Sequence, residues 1–121
     1  MNPRIYIKIG ICLFYVLLFA SCGQQYHAEK TVKAFIEANA ENPELLSDRE
    51  FADLGTTRYV NDSLIHLMRH RGAELFKKGI SYPEKHSDDL FYLRMSYVRG
   101  TDTLQNTFYL NQELTEVVAF K

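Results

Sequence analysis

The chain has 121 residues with 14 basic and 15 acidic side chains, so its formal net charge is −1 and its length suggests one domain. This balance lacks the basic excess and the clustered patch of a nucleic-acid-binding surface, so no nucleic-acid partner is expected. Both cysteines, Cys12 and Cys22, lie near the N-terminus. Residues 23–121 therefore contain no thiol that could form a disulfide or a cysteine metal site.

The first 21 residues have the organisation of a secretory signal peptide. Arg4 and Lys8 lie in a short basic segment, and residues 9–20 form an uncharged, almost entirely apolar run of 12 residues. A membrane-spanning helix needs about 17–25 such residues, so this run is too short to span a bilayer and fits a signal peptide. Without Arg4 and Lys8, 12 of the 14 basic residues remain against 15 acidic ones, a formal charge of −3.

The apolar run is followed by Ala20-Ser21-Cys22-Gly23. This segment resembles the lipobox of bacterial lipoproteins, in which a branched apolar residue and two small residues precede a cysteine, although Phe19 stands where leucine is common. The resemblance covers residues 1–23. It implies a diacylglyceryl group on the sulfur of Cys22, cleavage before Cys22 and fatty acylation of the new amino group. The alternative is an ordinary cleaved signal peptide with a chance cysteine.

The residues that follow Cys22 bear on the location of the protein. Gly23 rather than aspartate comes directly after the cysteine. By the sorting habits of lipoproteins, this implies lipid anchoring in the outer membrane, with the domain facing the periplasm. We expect residues 22–27 to form the lipidated N-terminus and a short tether, which reaches at most about 17 Å when residues 23–27 are extended. Residues 28–121 are then one domain.

The apolar residues follow helical spacing before Gly79 and a period of two after it. A first helix is predicted over residues 28–40. The capping-box spacing of Ser47 and Glu50 predicts a short second helix that reaches Leu54. A third helix is predicted from a cap at Asn61 or Asp62 to residue 78.

The second half of the chain alternates apolar and polar residues. Strands are predicted over residues 91–98, 103–110 and 114–121, with a short candidate over residues 80–82, and short turns between them favour an antiparallel meander. The predicted fold class is α+β, with N-terminal helices packed on one face of the C-terminal sheet. This element order resembles cystatin-like and nuclear-transport-factor-like domains, a likeness that no sequence motif carries.

Candidate catalytic and metal sites are few. Enzymes of the transport-factor-like fold often pair an aspartate or histidine base with a tyrosine, so the resemblance implies Tyr97 with Asp53 or Asp62. His66 and His70 are four residues apart and would share a helix face, a spacing that can hold zinc. The glutamate of zinc proteases is missing after His66, and neighbouring arginines would repel a cation. We therefore expect no metal, no cofactor and no catalytic residue.

The face of the sheet opposite the core offers a different site. Tyr92, Arg94 and Tyr109 all fall on this face by the predicted alternation, and tyrosine and arginine are enriched where proteins contact one another. The alternative is a solvated face with ordinary cross-strand aromatic pairs. The sequence favours a lipid-anchored, non-catalytic interaction or ligand-binding module whose partner is another protein or a second copy. A small enzyme of the transport-factor-like fold is the alternative.

Overall fold

The structure, a computed structural model, describes residues 23–121, so the predicted leader and Cys22 lie outside the described residues. Two α-helices, one 3-10 turn and a five-stranded sheet follow one another along the chain. The elements are α1 (23–39), the 3-10 turn Pro43–Leu45, β1 (Ser47–Phe51), β2 (Gly55–Thr57), α2 (Asp62–Arg71), β3 (Leu90–Arg99), β4 (Asp102–Leu110) and β5 (Val117–Phe120). The predicted α+β class with an antiparallel sheet is confirmed, although β1 and β2 come before α2 in the chain.

The sheet is built around the long hairpin of β3 and β4. Its order is β1-β3-β4-β5, and β2 pairs with the first residues of β3 beyond the end of β1. Arg99 pairs with Asp102 across the tight turn, where Gly100 has a φ of 65° that favours glycine. The predicted alternation of β3 and β4 is confirmed, because Leu93 and Phe108 are paired, fully buried and turned toward α1.

Helix α1 and the sheet enclose the larger core, on what we term the α1 face. Val32 and Ile36 of α1 are fully buried against the sheet. Four phenylalanine rings fill the space between the helix and strands β4 and β5, with ring centroids 4.6–6.5 Å apart: Phe35, Phe76, Phe108 and Phe120. Phe108 and Phe120 are fully buried, whereas Phe35 and Phe91 are partly buried at the margin of this cluster.

Helix α2 packs on the opposite side of the sheet, termed the α2 face. Ile65 is 2% exposed and lies in a second apolar cluster with Tyr109, Val118 and Ala119. An irregularity in the pairing of β4 with β5 places Val118 and Ala119 on the same side, where regular alternation would separate them. The two helices lie on opposite faces of the sheet, not together on one face as predicted. Helix α2 covers the apolar patch formed by Tyr109, Val118 and Ala119, which would otherwise be exposed to water.

Residues 47–51 form a strand rather than the predicted short helix. Ser47 does not cap a helix, and its hydroxyl donates a hydrogen bond to the carbonyl of Val98 at 2.8 Å. Asp48 has a φ of 49° within a bulge between Ser47 and Glu50. Pairing with β3 satisfies the backbone groups of this segment and overrides its capping-box spacing.

Helix α2 ends at Arg71, seven residues before the predicted end at residue 78. Gly72 has a φ of 63°, and its N–H donates to the carbonyl of Met68, which closes the helix. The chain then crosses to the α1 face, where Phe76 forms an isolated bridge with Ala40. Residues 80–82 form no strand.

Residues 23–27, predicted as a short tether before a helix that begins at residue 28, are helical and belong to α1. Ala28 is completely buried, and thus the domain begins within the first turns of α1. Across residues 23–121, neither helix has the length and the apolar character that crossing a membrane requires.

Candidate functional site

The structure brings the three predicted surface residues together on the α2 face. Tyr92 and Tyr109 are direct cross-strand partners, and Arg94 pairs with Thr107 two residues further along β3. The Arg94 guanidinium carbon lies 5.9 Å from the centroid of the Tyr92 ring. The three side chains therefore form one group, as their shared parity predicts.

Tyr109 is not available to a partner, however. It is only 8% exposed, because Ile65 and its neighbours in α2 pack over it. The sequence analysis did not predict the burial of Tyr109, because it placed every helix on the other face of the sheet. Tyr109 is a packing residue of the second cluster, and its hydrophobic area stabilises the contact with α2.

Tyr92 is half-buried and has a packing partner of its own. Its ring lies directly over Gly55 in β2, where a β-carbon on the glycine would overlap the ring. A large aromatic ring thus covers the backbone of a short strand that has no side chain at this position. Arg94 is the one member of the group that is exposed.

The uncovered part of the α2 face surrounds Arg94. It is formed by half-exposed or exposed polar side chains on the three strands β1, β3 and β4, including Glu50, Ser96 and Thr107. Glu50 and Arg94 are exposed there. This surface can supply hydrogen bonds and one cation to a partner, which suits recognition of another protein surface more than enclosure of a small molecule.

Helix α2 also exposes two large apolar side chains. Leu64 and Leu67 are 44% and 50% exposed, and they border a groove that reaches Tyr109. A signal was present in the sequence, because apolar residues at 64, 65, 67 and 68 form a stripe too wide for one buried helix face.

The residues of the enzyme alternative do not come together. Tyr97 is 5% exposed inside the α1-face cluster, and burial raises the pKa of its hydroxyl, with Arg99 opposing the shift. Asp62, the first residue of α2, has a 92% exposed side chain, and its Oδ1 lies 3.0 Å from Nε2 of His86. Asp53 is exposed just beyond β1. Its neighbour Ala52 donates a backbone hydrogen bond to the carbonyl of Arg94, and Arg94 lies three residues, or about 10 Å, from Tyr97 along β3.

His66 and His70 lie on the exposed surface of α2, with ring centroids 6.3 Å apart and the rings nearly parallel. Within the described part of the chain, residues 23–121, no group of three or more histidine, cysteine, aspartate or glutamate side chains is arranged to hold a metal ion. Two histidines alone provide half of the four ligands of a structural zinc site.

Arg69 makes several contacts between distant parts of the chain, which the sequence analysis did not predict. Its Nε donates to the carbonyl of Val118 at 2.8 Å, one terminal nitrogen donates to Pro83 at 3.0 Å, and the guanidinium lies 4.9 Å from the ring centroid of Tyr82. Val118 belongs to β5, an edge strand of the sheet. Arg69 therefore covers an edge that would otherwise offer free carbonyls to another strand.

Tyr82 beside it has an unusual hydroxyl. The oxygen is buried and has no hydrogen-bond partner within the described residues. Burial raises the pKa of Tyr82 to about 12, and the positive charge of Arg69 partly opposes this shift. The pair is a structural contact between α2 and the loop before β3, because the tyrosine contributes apolar area and faces no other titratable partner that shifts its pKa.

Comparison with known proteins assigns no family to the chain. No family model matches it, and no curated protein or solved structure is significantly similar to it. An α+β architecture alone does not imply an activity, so the functional conclusion depends on the residues and surfaces described above.

Proposed function

We propose that the chain is a lipid-anchored protein of the bacterial outer membrane whose periplasm-facing domain is a non-catalytic interaction module. The observation that carries this proposal is the filled α1 face. Phe35, Phe76, Phe108 and Phe120 occupy the space between helix and sheet where a transport-factor-like enzyme would hold its substrate. Rings packed at centroid distances of 4.6–5.6 Å fill the space between them.

The electrostatics of the domain support the same proposal. General acid–base catalysis needs titratable groups placed together in a cleft with altered proton affinity. Tyr82 and Tyr97 each have a pKa raised mainly by burial, and both side chains lie in packed surroundings. The carboxylates of Asp53 and Asp62 are on the surface, away from Tyr97.

The lipid anchor supplies the location. Residues 1–23 carry the lipobox pattern, and stable attachment requires two or more acyl chains, which lipidation of Cys22 provides. An anchored domain is concentrated at the membrane, so a weak contact surface suffices to hold a partner there. Such a surface does not need a deep pocket.

We place the contact on the open part of the α2 face, with Arg94 at its centre and the exposed edge of Tyr92 beside it. Arg94 is exposed and is held over the Tyr92 ring, so little side-chain freedom is lost when a partner binds. The partner is another envelope protein or a second copy of this chain.

Two experiments test the proposal. Metabolic labelling with a fatty acid should mark the wild-type protein and not the Cys22→Ser variant, and equal labelling of both would exclude the anchor. For the contact, a photo-crosslinking amino acid at position 107 should give a discrete adduct in native membranes. We expect Arg94→Glu to remove the adduct and the control Lys78→Glu, an exposed site on the other side of the fold, to keep it.

A further inference from the structure

We propose that one end of the domain rests on the bilayer in a fixed orientation, with Tyr26 and Tyr59 at the level of the lipid headgroups. We call this the anchor end. The inference rests on the proposed lipid anchor at Cys22 and goes beyond it, because an anchor on a flexible tether would leave the domain free to tumble.

Helix α1 begins directly after the proposed anchor residue. Residues 23–27 are helical, and Ala28 is already fully buried in the core. Five helical residues rise about 7.5 Å along the axis, whereas the same residues extended would reach about 17 Å. The distance between anchor and folded domain is thus short and fixed by the helix.

The start of α1 is held by hydrogen bonds to the link between β1 and β2. The side-chain amide of Gln25 donates to the carbonyl of Ala52 at 3.0 Å, and its oxygen accepts from the N–H of Leu54 at 2.8 Å. Both contacts join the first turn of α1 to the link between β1 and β2. A helix held at this point transmits the position of the anchor to the whole domain.

Two exposed tyrosines, Tyr26 and Tyr59, lie at the same end of the domain. From Leu54 the chain continues through β2, which pairs with the first residues of β3, and reaches Tyr59 two residues after β2 ends. Tyr59 is 90% exposed, and Tyr26 in the first turns of α1 is 63% exposed. Tyrosine is enriched at membrane interfaces because its ring is apolar and its hydroxyl remains hydrated.

The charges near these tyrosines point to a lipid surface rather than to one charged ligand. Lys30 and Arg58 lie there among at least as many carboxylates, which are Glu29, Asp53, Glu113 and Asp89, the last paired directly with Arg58. The anchor end therefore has no basic excess that would bind an anionic ligand. Its attachment should depend on the acyl chains and on burial of aromatic area, and hardly on salt.

The absence of tryptophan from the sequence makes a direct test possible. Single tryptophans are introduced as Tyr26→Trp, Tyr59→Trp and, at the opposite end, Leu45→Trp. Leu45 is 42% exposed in the 3-10 turn after α1, near the start of β1, which pairs with the last residues of β3. The lipidated proteins are placed in phosphatidylcholine vesicles with brominated acyl chains, which quench nearby tryptophan.

We expect strong quenching at positions 26 and 59 and little at position 45. Equal quenching at the three positions, or none at position 59, would overturn the inference. A flexible Gly-Ser insertion between Gly23 and Gln24 should reduce the quenching at position 59 while the protein stays on the vesicles. Should the insertion leave that quenching unchanged, α1 does not set the orientation and the inference also fails.

The same samples separate this inference from the proposed function. Mass spectrometry of the protein reports whether the acyl chains are present. A protein without acyl chains would contradict the anchor and the orientation together. A lipidated protein with an unquenched tryptophan at position 59 would contradict the orientation alone.

Discussion

Arg69 joins three parts of the domain that lie far apart in the sequence: α2, β5 and the loop that carries Tyr82 and Pro83. Its two hydrogen bonds to backbone carbonyls and its position over an aromatic ring satisfy a charge that is half-buried. Such a group costs free energy when its partners are missing and stabilises the fold when they are in place.

Replacing Arg69 with methionine should lower the free energy of unfolding by about 2–3 kcal/mol. This is less than the sum of two hydrogen bonds from a charged donor, at about 1.5–3 kcal/mol each, because the guanidinium is only half-buried. Methionine keeps most of the aliphatic stem, so the loss reports on the guanidinium. Urea denaturation followed by circular dichroism measures it. Arg71→Met on the exposed side of the same helix is the control and should change stability little. Equal effects of both substitutions would show that the Arg69 contacts contribute nothing specific.

Replacing Tyr82 with phenylalanine should leave stability at pH 7 unchanged or slightly higher, because the buried hydroxyl has no hydrogen bond to lose. The folded pKa of about 12 exceeds the unfolded value of 10.0, so the unfolded chain releases this proton first. Tyr82 therefore contributes stability that is fully present below pH 10 and is lost as the pH rises through 12.

Urea denaturation at several pH values between 9 and about 12 measures this effect. Wild type should lose stability more steeply above pH 10 than Tyr82→Phe. Parallel pH profiles for the two proteins would mean that the hydroxyl titrates normally and is accessible to water.

Single residues also show the limit of what the sequence predicts. The parity of β3 and β4 places Tyr92, Arg94 and Tyr109 on one face correctly, because side chains alternate strictly along a regular strand. Parity carries no information about what covers that face. Whether Tyr109 is a contact residue or a packing residue depends on α2, which lies far from it in the sequence.

At the scale of elements, predictions succeeded where local pattern and tertiary contact agree. Asn61 caps α2 as one of the two predicted candidates, accepting from Leu64 N–H at 2.9 Å. The spacing of Ser47 and Glu50 also favours a helix locally, yet pairing with β3 makes the segment a strand. The pairing of β1 depends on a partner more than 40 residues away, which no local spacing records.

The position of α2 can be tested through two of its neighbouring residues. Ile65→Ala should lower the free energy of unfolding by about 2–5 kcal/mol, the usual cost of removing a large aliphatic side chain from a core. Leu64→Ala is the matched control, because Leu64 is 44% exposed on the same turn, and it should cost much less. Similar losses for both would mean that α2 does not pack on the sheet through the face that contains Ile65.

On the scale of the whole molecule, one sheet separates two apolar clusters. Leu93, Met95 and Phe108 point to α1, and Leu90, Tyr109 and Val118 point to α2. The prediction of an antiparallel sheet beside helices required only the change of period near Gly79. The division of helices between faces required knowledge of the β4–β5 irregularity, which turns Val118 and Ala119 to one side.

Because both clusters share strands β3, β4 and β5, we expect the domain to unfold in a single transition. Phe108→Ala should lower the free energy of unfolding by about 3–5 kcal/mol through the α1 face. Phe108 and Ile65 lie in different clusters on opposite faces, so the double variant should lose about the sum of the two single losses. Far-ultraviolet circular dichroism and tyrosine fluorescence should give one common midpoint in each variant. If tyrosine fluorescence instead changed before the helical signal in Ile65→Ala, α2 would be detaching as a separate unit while α1 and the sheet stay folded, and the shared strands would not couple the two clusters.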